Sequence, residues 1–268
     1  KLYYLTIRIL TNSDLISIIT PFKNSSKFLN DCLESIINQS YLNWELIIID
    51  DYSNDNSFQL VNSISQNDKR IKLYKNEGEK GIISCLRQGL NKCSGDYITR
   101  MDSDDIMDKD KLKELHRSLK NCGKGYVSTS KVKYFSNDEL GLGYEKYENW
   151  LNKMMIDNDH FKHIYKECVI PSPNWMILKD DLLLCGGFNS NIYPEDYDLV
   201  FRFYKERFKI ISSLKILHFW RDYPARTSRT DSNYADNSFL DLKIKYFLEL
   251  NYDITKDLII WGAGKRGK

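Results

Sequence analysis

Apolar positions in the first part of the chain alternate between two periods. Leu15-Ile16-Ser17-Ile18-Ile19-Thr20 is a compact apolar run stopped by Pro21, the pattern of a buried strand that ends at a loop. Leu29, Cys32, Leu33, Ile36 and Ile37 then recur at helical spacing, with Ser25 or Ser26 placed to cap the first turn. Residues 44–49 read as a second strand, Phe58, Val61 and Ile64 as a short helix, and 71–74 as a third strand. Ile82, Ile83, Leu86 and Leu90 mark another helix before the strand at Tyr97. This alternation predicts a parallel sheet with helices on both faces.

The second half is less regular. Residues 126–135 alternate like a strand, and Tyr147, Trp150, Leu151, Met154 and Met155 fit one helix face, read here as core rather than a cofactor box. Pro171, Pro173, Asn174 and Trp175 make 169–178 an irregular segment leading into a strand. Gly186-Gly187-Phe188 forms a turn, and Tyr193-Pro194-Glu195-Asp196 opens a helix that runs through Phe203. Two strands are expected at 209–211 and 216–219, then a closing helix whose apolar face is Leu240, Ile244, Phe247 and Leu248.

Two of these strands run straight into carboxylates. After the first comes Asp50-Asp51-Tyr52-Ser53; after the second, Gly95-Asp96-Tyr97-Ile98-Thr99-Arg100 leads into Met101-Asp102-Ser103-Asp104-Asp105. Clustered carboxylates at a strand end are costly unless a cation or several donors wait there. Asp102 and Asp104 lie two apart, so both can face one ion while Asp105 points elsewhere. Oxygen-only ligands suit Mg2+ or Mn2+ rather than zinc. The plainer alternative is a solvated acidic turn capping a helix near 109–121 through Asp108 or Asp110. In parallel sheets ligands bind beyond the carboxyl ends of the strands, which puts Thr20, Asp51 and 102–104 on one rim. Glu195 and Asp196 fall in the first turn of their helix, where the helix dipole favours the ionised form. Further along, Arg221, Arg226 and Arg229 lie in a turn-rich segment with hydroxyls, a composition suited to phosphate or to a solvated loop. Leu258-Ile259-Ile260-Trp261 followed by Gly262-Ala263-Gly264-Lys265-Arg266-Gly267 has the form of a strand opening a dinucleotide-type βα unit that breaks off in mid-motif; with no opening Met, a fragment is expected.

Composition narrows the class without naming the chemistry. The 268 residues are 42% hydrophobic and 28% charged, enough to bury a substantial core. The net charge of +2 is a near-balance of both signs, so it marks neither a nucleic-acid tail nor an acidic partner. Six scattered cysteines without a C-x-x-C pair read as reduced core thiols, and a cytoplasmic location is expected. No apolar run approaches the roughly 20 residues that span a bilayer, so membrane contact is expected to be peripheral at most, at the inner face.

Taken in order, Ile18-Ile19-Thr20-Pro21-Phe22, Ile48-Ile49-Asp50-Asp51-Tyr52-Ser53, the Gly95 strand into Asp102-Ser103-Asp104-Asp105, and Gly186-Gly187-Phe188 with Pro194-Glu195-Asp196 resemble the inverting family two glycosyltransferases of the GT-A fold. The resemblance covers residues 15–228. It implies an α/β fold, with a mostly parallel central sheet, helices on both faces and an irregular acceptor-side half. A catalytic domain at 14–250 and the start of a second, Rossmann-like domain at 257–268 follow from it. Thr20 and Asp51 would contact uracil, Asp102 ribose and metal, Asp104 metal, and Asp196 would be the catalytic base. His218 resembles a histidine that approaches the metal or diphosphate. Pro21, Arg100, Ser103, Glu195 and Arg226 would complete the nucleotide-sugar site, and Asn174 and Trp175 would meet the acceptor.

The implied cofactor is Mn2+ or Mg2+. The implied donor is a UDP-sugar: UDP-galactose, UDP-glucose or a UDP-N-acetylhexosamine. The region from His218 to Arg229 with the Trp261-Gly262-Ala263-Gly264 motif resembles bacterial two-part glycosyltransferases and the animal queuosine-tRNA galactosyltransferase. A saccharide or other hydroxyl compound is therefore the implied acceptor, with tRNA a more distant reading. Two departures from the family pattern stand at Tyr52, where Gly is frequent, and Lys23, where Asn is frequent. A sugar-phosphate nucleotidyltransferase would carry a G-x-G-[ST]-R loop where Thr20-Pro21-Phe22-Lys23-Asn24 stands. A binding module without chemistry would not need both the acidic pair and Glu195-Asp196.

Overall fold

The computed structural model describes residues 14–136, 140–230 and 239–259. In chain order the elements are β1 (Ile16–Phe22), α1 (Leu29–Ile37), β2 (Trp44–Asp50), α2 (Ser57–Ser65), β3 (Ile71–Lys75), α3 (Ile82–Lys92), β4 (Tyr97–Arg100) and β5 (Ile106–Met107). They continue with α4 (Lys111–Cys122), β6 (Tyr126–Phe135), α5 (Leu142–Asp157), β7 (Trp175–Leu178), α6 (Lys179–Leu184), α7 (Glu195–Lys205), β8 (Lys209–Arg221), α8 (Thr227–Thr230) and α9 (Leu240–Leu250).

One sheet joins the strands in the order β3-β2-β1-β4-β7-β6-β8-β5. The half built from β3, β2, β1 and β4 is parallel. Beyond β4 the sheet is mixed: β7 is antiparallel to both β4 and β6, while β6 and β8 run parallel. The parallel half requires both faces covered, and the side chains show it. Ile16, Ile18, Leu46 and Ile48 pack with Leu33, Val61 and Leu115 on one face. Ile19, Ile47 and Ile49 pack with Leu86, Leu90, Leu151 and Phe201 on the other. Helix α3 lies so close that a Cβ on Gly89 would come 2.5 Å from Ile19 Cγ2.

The structure corrects several local expectations. Strand β1 runs through Pro21 to Phe22, because pairing with β4 ends at Ile19↔Arg100 and one flank is open where the proline lacks its N–H. Neither Ser25 nor Ser26 caps α1; Ser25 Oγ instead meets Ser103 Oγ at 2.9 Å, tying the first loop to the acidic turn. The two strands expected at 209–211 and 216–219 are one strand, β8. Its register shifts between Ser213 and Ile216, so Leu214 bulges out to solvent and hides the continuity from a periodicity reading. On α9 the buried residues are Leu242 and Tyr246, whereas Leu240, Ile244 and Leu248 are exposed. Tyr246 stacks on Phe201 at 4.5 Å and donates to Asp198 Oδ1 at 2.7 Å, and this anchor turns the aliphatic stripe outward. Tyr52 has φ 56°, the left-handed region that favours the glycine frequent in its place. Of the strand and glycine motif expected from Leu258 to Gly267, Leu258 and Ile259 are not in a strand, and the rest lies outside the described residues.

Candidate active site

The carboxyl ends of β1, β2 and β4 open onto a cleft of about 1050 Å3, which the start of α7 and the segment after β8 close from the other side. Pro21, Asp51, Arg100, Asp102, Ser103, Asp104, Glu195, Asp196 and Arg226 all line it, so residues up to 205 positions apart in sequence (226 − 21) meet there. Asp51 Oδ1 accepts from Asn76 Nδ2 and from the Gly81 N–H, both at 2.9 Å, which fixes the carboxylate at the cleft edge. Thr20 is fully buried beneath that edge, with no hydrogen-bond partner for its hydroxyl among the described residues.

Arg100 organises the middle. Its Nε donates to Asp102 Oδ1 at 2.9 Å and its other arm to Glu195 Oε1 at 2.8 Å, with only 4% of the residue exposed. Asp104 Oδ2 accepts from the Tyr223 hydroxyl at 3.0 Å. Asp105 turns away from the cleft, as expected, and is fully buried: Oδ1 accepts from the Arg221 N–H and Oδ2 meets His218 Nε2 at 3.0 Å. His218 Nδ1 in turn lies 3.0 Å from Lys111 Nζ, whose ammonium also donates to the Pro173 carbonyl. Burial pulls Lys111 down to about 7 against Asp105 and Asp102; while it carries its proton it can only donate, and His218 then accepts at Nδ1 and donates from Nε2. Burial and the Lys111 charge hold the imidazole well below its usual range, so it stays neutral. With both nitrogens engaged and the residue fully buried, His218 does not face the cleft; it supports the acidic turn from behind.

The residues at this turn fit a hard divalent cation. Asp102 and Asp104 each have one carboxylate oxygen engaged and one with no hydrogen bond among the described residues. Burial, with Asp105 and Asp102 beside it, pushes Asp104 up to about 7 although Arg226 and the Tyr223 hydroxyl act against the rise. Among the described residues no three His, Cys, Asp or Glu side chains gather into a self-sufficient site. An ion at Asp102 and Asp104 would therefore need substrate phosphates and water to complete its shell.

At the start of α7, Asp196 Oδ1 accepts from the Tyr197 N–H at 2.8 Å. The dipole argument predicts a carboxyl held ionised, but the balance is the reverse. Burial and the Glu195 charge outweigh Arg100 and the helix terminus and push Asp196 up to about 7. Glu195 Oε2 is buried and unpartnered. Asn174 and Trp175 do not reach the cleft. Asn174 is fully buried and exchanges hydrogen bonds with Ser130 on β6, while Trp175 packs against Phe188 and Phe203.

Aromatic residues whose periodicity points to the core, or that no motif singles out, form much of the wall. Tyr134 stacks on Trp220 at 5.0 Å, and the Arg226 guanidinium lies over both rings, 5.0 Å from Trp220 and 5.8 Å from Tyr134. Tyr144, Tyr147, Tyr223 and Glu167 join them. For Tyr147 the helical stripe is the available signal, but it cannot separate a face turned to core from one turned to a cleft.

Comparison with known proteins agrees with this arrangement. Residues 17–183 match the model of glycosyl transferase family 2. A glycosyltransferase of Haemophilus influenzae is 47% identical over 111 residues, 41% of this chain and 44% of that protein, so the chain spans under half of this relative's length. Staphylococcus aureus TarS (residues 1–349), solved with UDP-GlcNAc, superposes with a TM-score of 0.69 at 18% identity, covering 90% of this chain and 68% of that one. The mannosyltransferase PcManGT of Pyrobaculum calidifontis, solved with GDP-Man and Mn2+, gives 0.64 at 14% identity, covering 88% and 70%. The fold is GT-A, and the chain belongs to glycosyl transferase family 2.

Proposed function

We propose that this protein transfers a hexosyl group from a UDP-sugar to a hydroxyl acceptor, with a divalent cation and with inversion at the anomeric carbon. The observation that carries the reading is a single cleft lined by the Asp102/Asp104 pair, by Asp196 and by Arg100, whose guanidinium bonds Asp102 and Glu195. The UDP-GlcNAc held by TarS and the GDP-Man and Mn2+ held by PcManGT support the nucleotide-sugar and metal parts.

In this reading Asp51, fixed by Asn76 and Gly81, accepts from the uracil imide at the donor end. Asp102 and Asp104 would hold Mn2+ or Mg2+, which would supply Lewis-acid stabilisation of the departing diphosphate. Arg226, lying on Trp220 and Tyr134, contributes a second positive charge at the phosphates. Asp196 takes the proton from the acceptor hydroxyl as it attacks opposite the leaving group. An affinity for protons near neutral pH suits a general base. Residues 14–250 form the catalytic unit in this reading. Among the described residues no helix is long and apolar enough to cross a membrane. The six cysteines are unpaired and five are buried, which suits the reducing cytoplasm.

The reading is tested by titrating UDP into the protein with and without Mn2+, for the parent and for Asp104→Ala. Mn2+ should tighten UDP binding by roughly tenfold or more in the parent, because diphosphate and carboxylates repel without an ion between them. The variant should lose that gain; a gain preserved without Asp104 would remove the acidic pair from its role.

A further inference from the structure

The end of the cleft around Asp196 is built differently from the donor end. Glu195 and Asp196 come from α7, and Glu167 and Ser172 from the irregular segment before β7. The three carboxylates gather round Cys168, whose thiol all of them push upward together with burial. Glu167 Oε1 accepts from the Cys168 N–H at 3.0 Å, and no described residue bonds Oε2. Two further atoms have no partner among the described residues: Ser172 Oγ, in a residue 7% exposed, and Glu195 Oε2, in one 6% exposed. Buried polar atoms without partners are costly, so a ligand that supplies them is favoured. Tyr147, whose hydroxyl is spent on the Cys168 carbonyl at 2.9 Å, adds a ring to this wall.

The facing charges are one-sided. Arg100 is committed to Asp102 and Glu195, and among the described residues Lys243 acts on Glu167 and offsets part of its charge. Carboxylate oxygens without partners ask for donors, which a hydroxyl or an ammonium brings and a carboxylate or phosphate does not. A ring face beside such groups fits the mixed polar and apolar surface of a sugar.

We infer that this end of the cleft takes the acceptor as an uncharged or amine-bearing sugar ring and turns away acidic rings, with Glu167 deciding between them. The inference rests on the proposed transferase reading and adds the acceptor's charge class to it.

The experiment titrates methyl glycosides of glucose, glucosamine and glucuronic acid into the protein holding UDP and Mn2+, read by saturation-transfer NMR. The glucoside and glucosaminide should bind roughly tenfold or more tighter than the glucuronide, since like charges at an interface are strongly discriminating. In Glu167→Gln that ratio should shrink to about threefold or less, with the glucosaminide weakened most. Ser172→Ala should weaken all three alike. UDP affinity in the same titrations reports that each variant is folded. Equal binding of glucoside and glucuronide by the parent, a ratio unmoved by Glu167→Gln, or no binding by any of the three overturns the inference. Absence of UDP binding by the parent is the separate failure of the donor reading and overturns both.

Discussion

Replacing Arg100 by methionine removes the charge that links the two sides of the cleft while keeping much of the side-chain volume. Arg100 bonds Asp102, whose side chain is 23% exposed, and Glu195, at 7%. Removing one partner of a buried ion pair typically costs about 3–5 kcal/mol because the other charge is left unpaired. The Asp102 share is discounted because water in the cleft screens it, leaving about 2–4 kcal/mol in total. For a chain of this size that is a fall in Tm of roughly 5–15 °C. The sign with pH is also fixed. Asp196 already lies above its unfolded range, and without Arg100 its folded-state affinity for protons rises further. The deficit should therefore be small at pH 5, where protonation relieves the repulsion, and grow as pH rises through the folded-state values. Arg100 is among the groups that hold Asp196 down to about 7, so the rising limb of kcat/KM against pH should move to higher pH in the variant. Urea denaturation at pH 5 and pH 8, with the pH–rate profile of the same preparations, measures both. A stability loss below about 1 kcal/mol at pH 8, or an unmoved limb, refutes the electrostatic role given to Arg100.

Two other substitutions probe separate parts of the account. Arg226→Ala should weaken UDP by roughly tenfold or more while leaving uridine nearly unchanged, because the guanidinium acts on the charged phosphates that uridine does not carry; calorimetry with both ligands checks it, and equal weakening of both would place the residue elsewhere. Gly89→Ala gains about 1 kcal/mol of helix propensity but drives a methyl against Ile19 and Ile49, an overpacking cost of about 1–3 kcal/mol. A lowered Tm is expected, and a raised one would show that α3 can shift away from β1.

The alternation of strands and helices in the parallel half is legible because those strands are buried on both faces and read as continuous apolar runs, as in residues 46–49. Asp102, Asp104, Glu195 and Asp196 are legible because carboxylates stand where strands and helices meet the cleft. Asn174 and Trp175 mislead, since a polar residue in an irregular segment can equally satisfy a buried strand edge, and Asn174 does so against Ser130. The spacing of His218 suggests a place beside the metal but does not reveal which side of β8 it occupies; the register Met107↔His218 and its bond to Asp105 put it behind the turn. The aromatic wall is hidden because Tyr134, Tyr147 and Trp220 share the periodicity of core residues.

The central claim is that Asp196 takes the acceptor proton in a metal-held UDP-sugar complex. Asp196→Asn is nearly isosteric and far less basic, so it separates binding from chemistry. UDP affinity with Mn2+, turnover and the anomeric configuration of the product, by NMR, are measured on one preparation. The account predicts an affinity within about threefold of the parent, turnover lower by about 100-fold or more, and in the parent a product of inverted configuration with kcat/KM rising through about pH 7. Parent-like turnover in the Asn variant, or a product that keeps the donor's configuration, would contradict it.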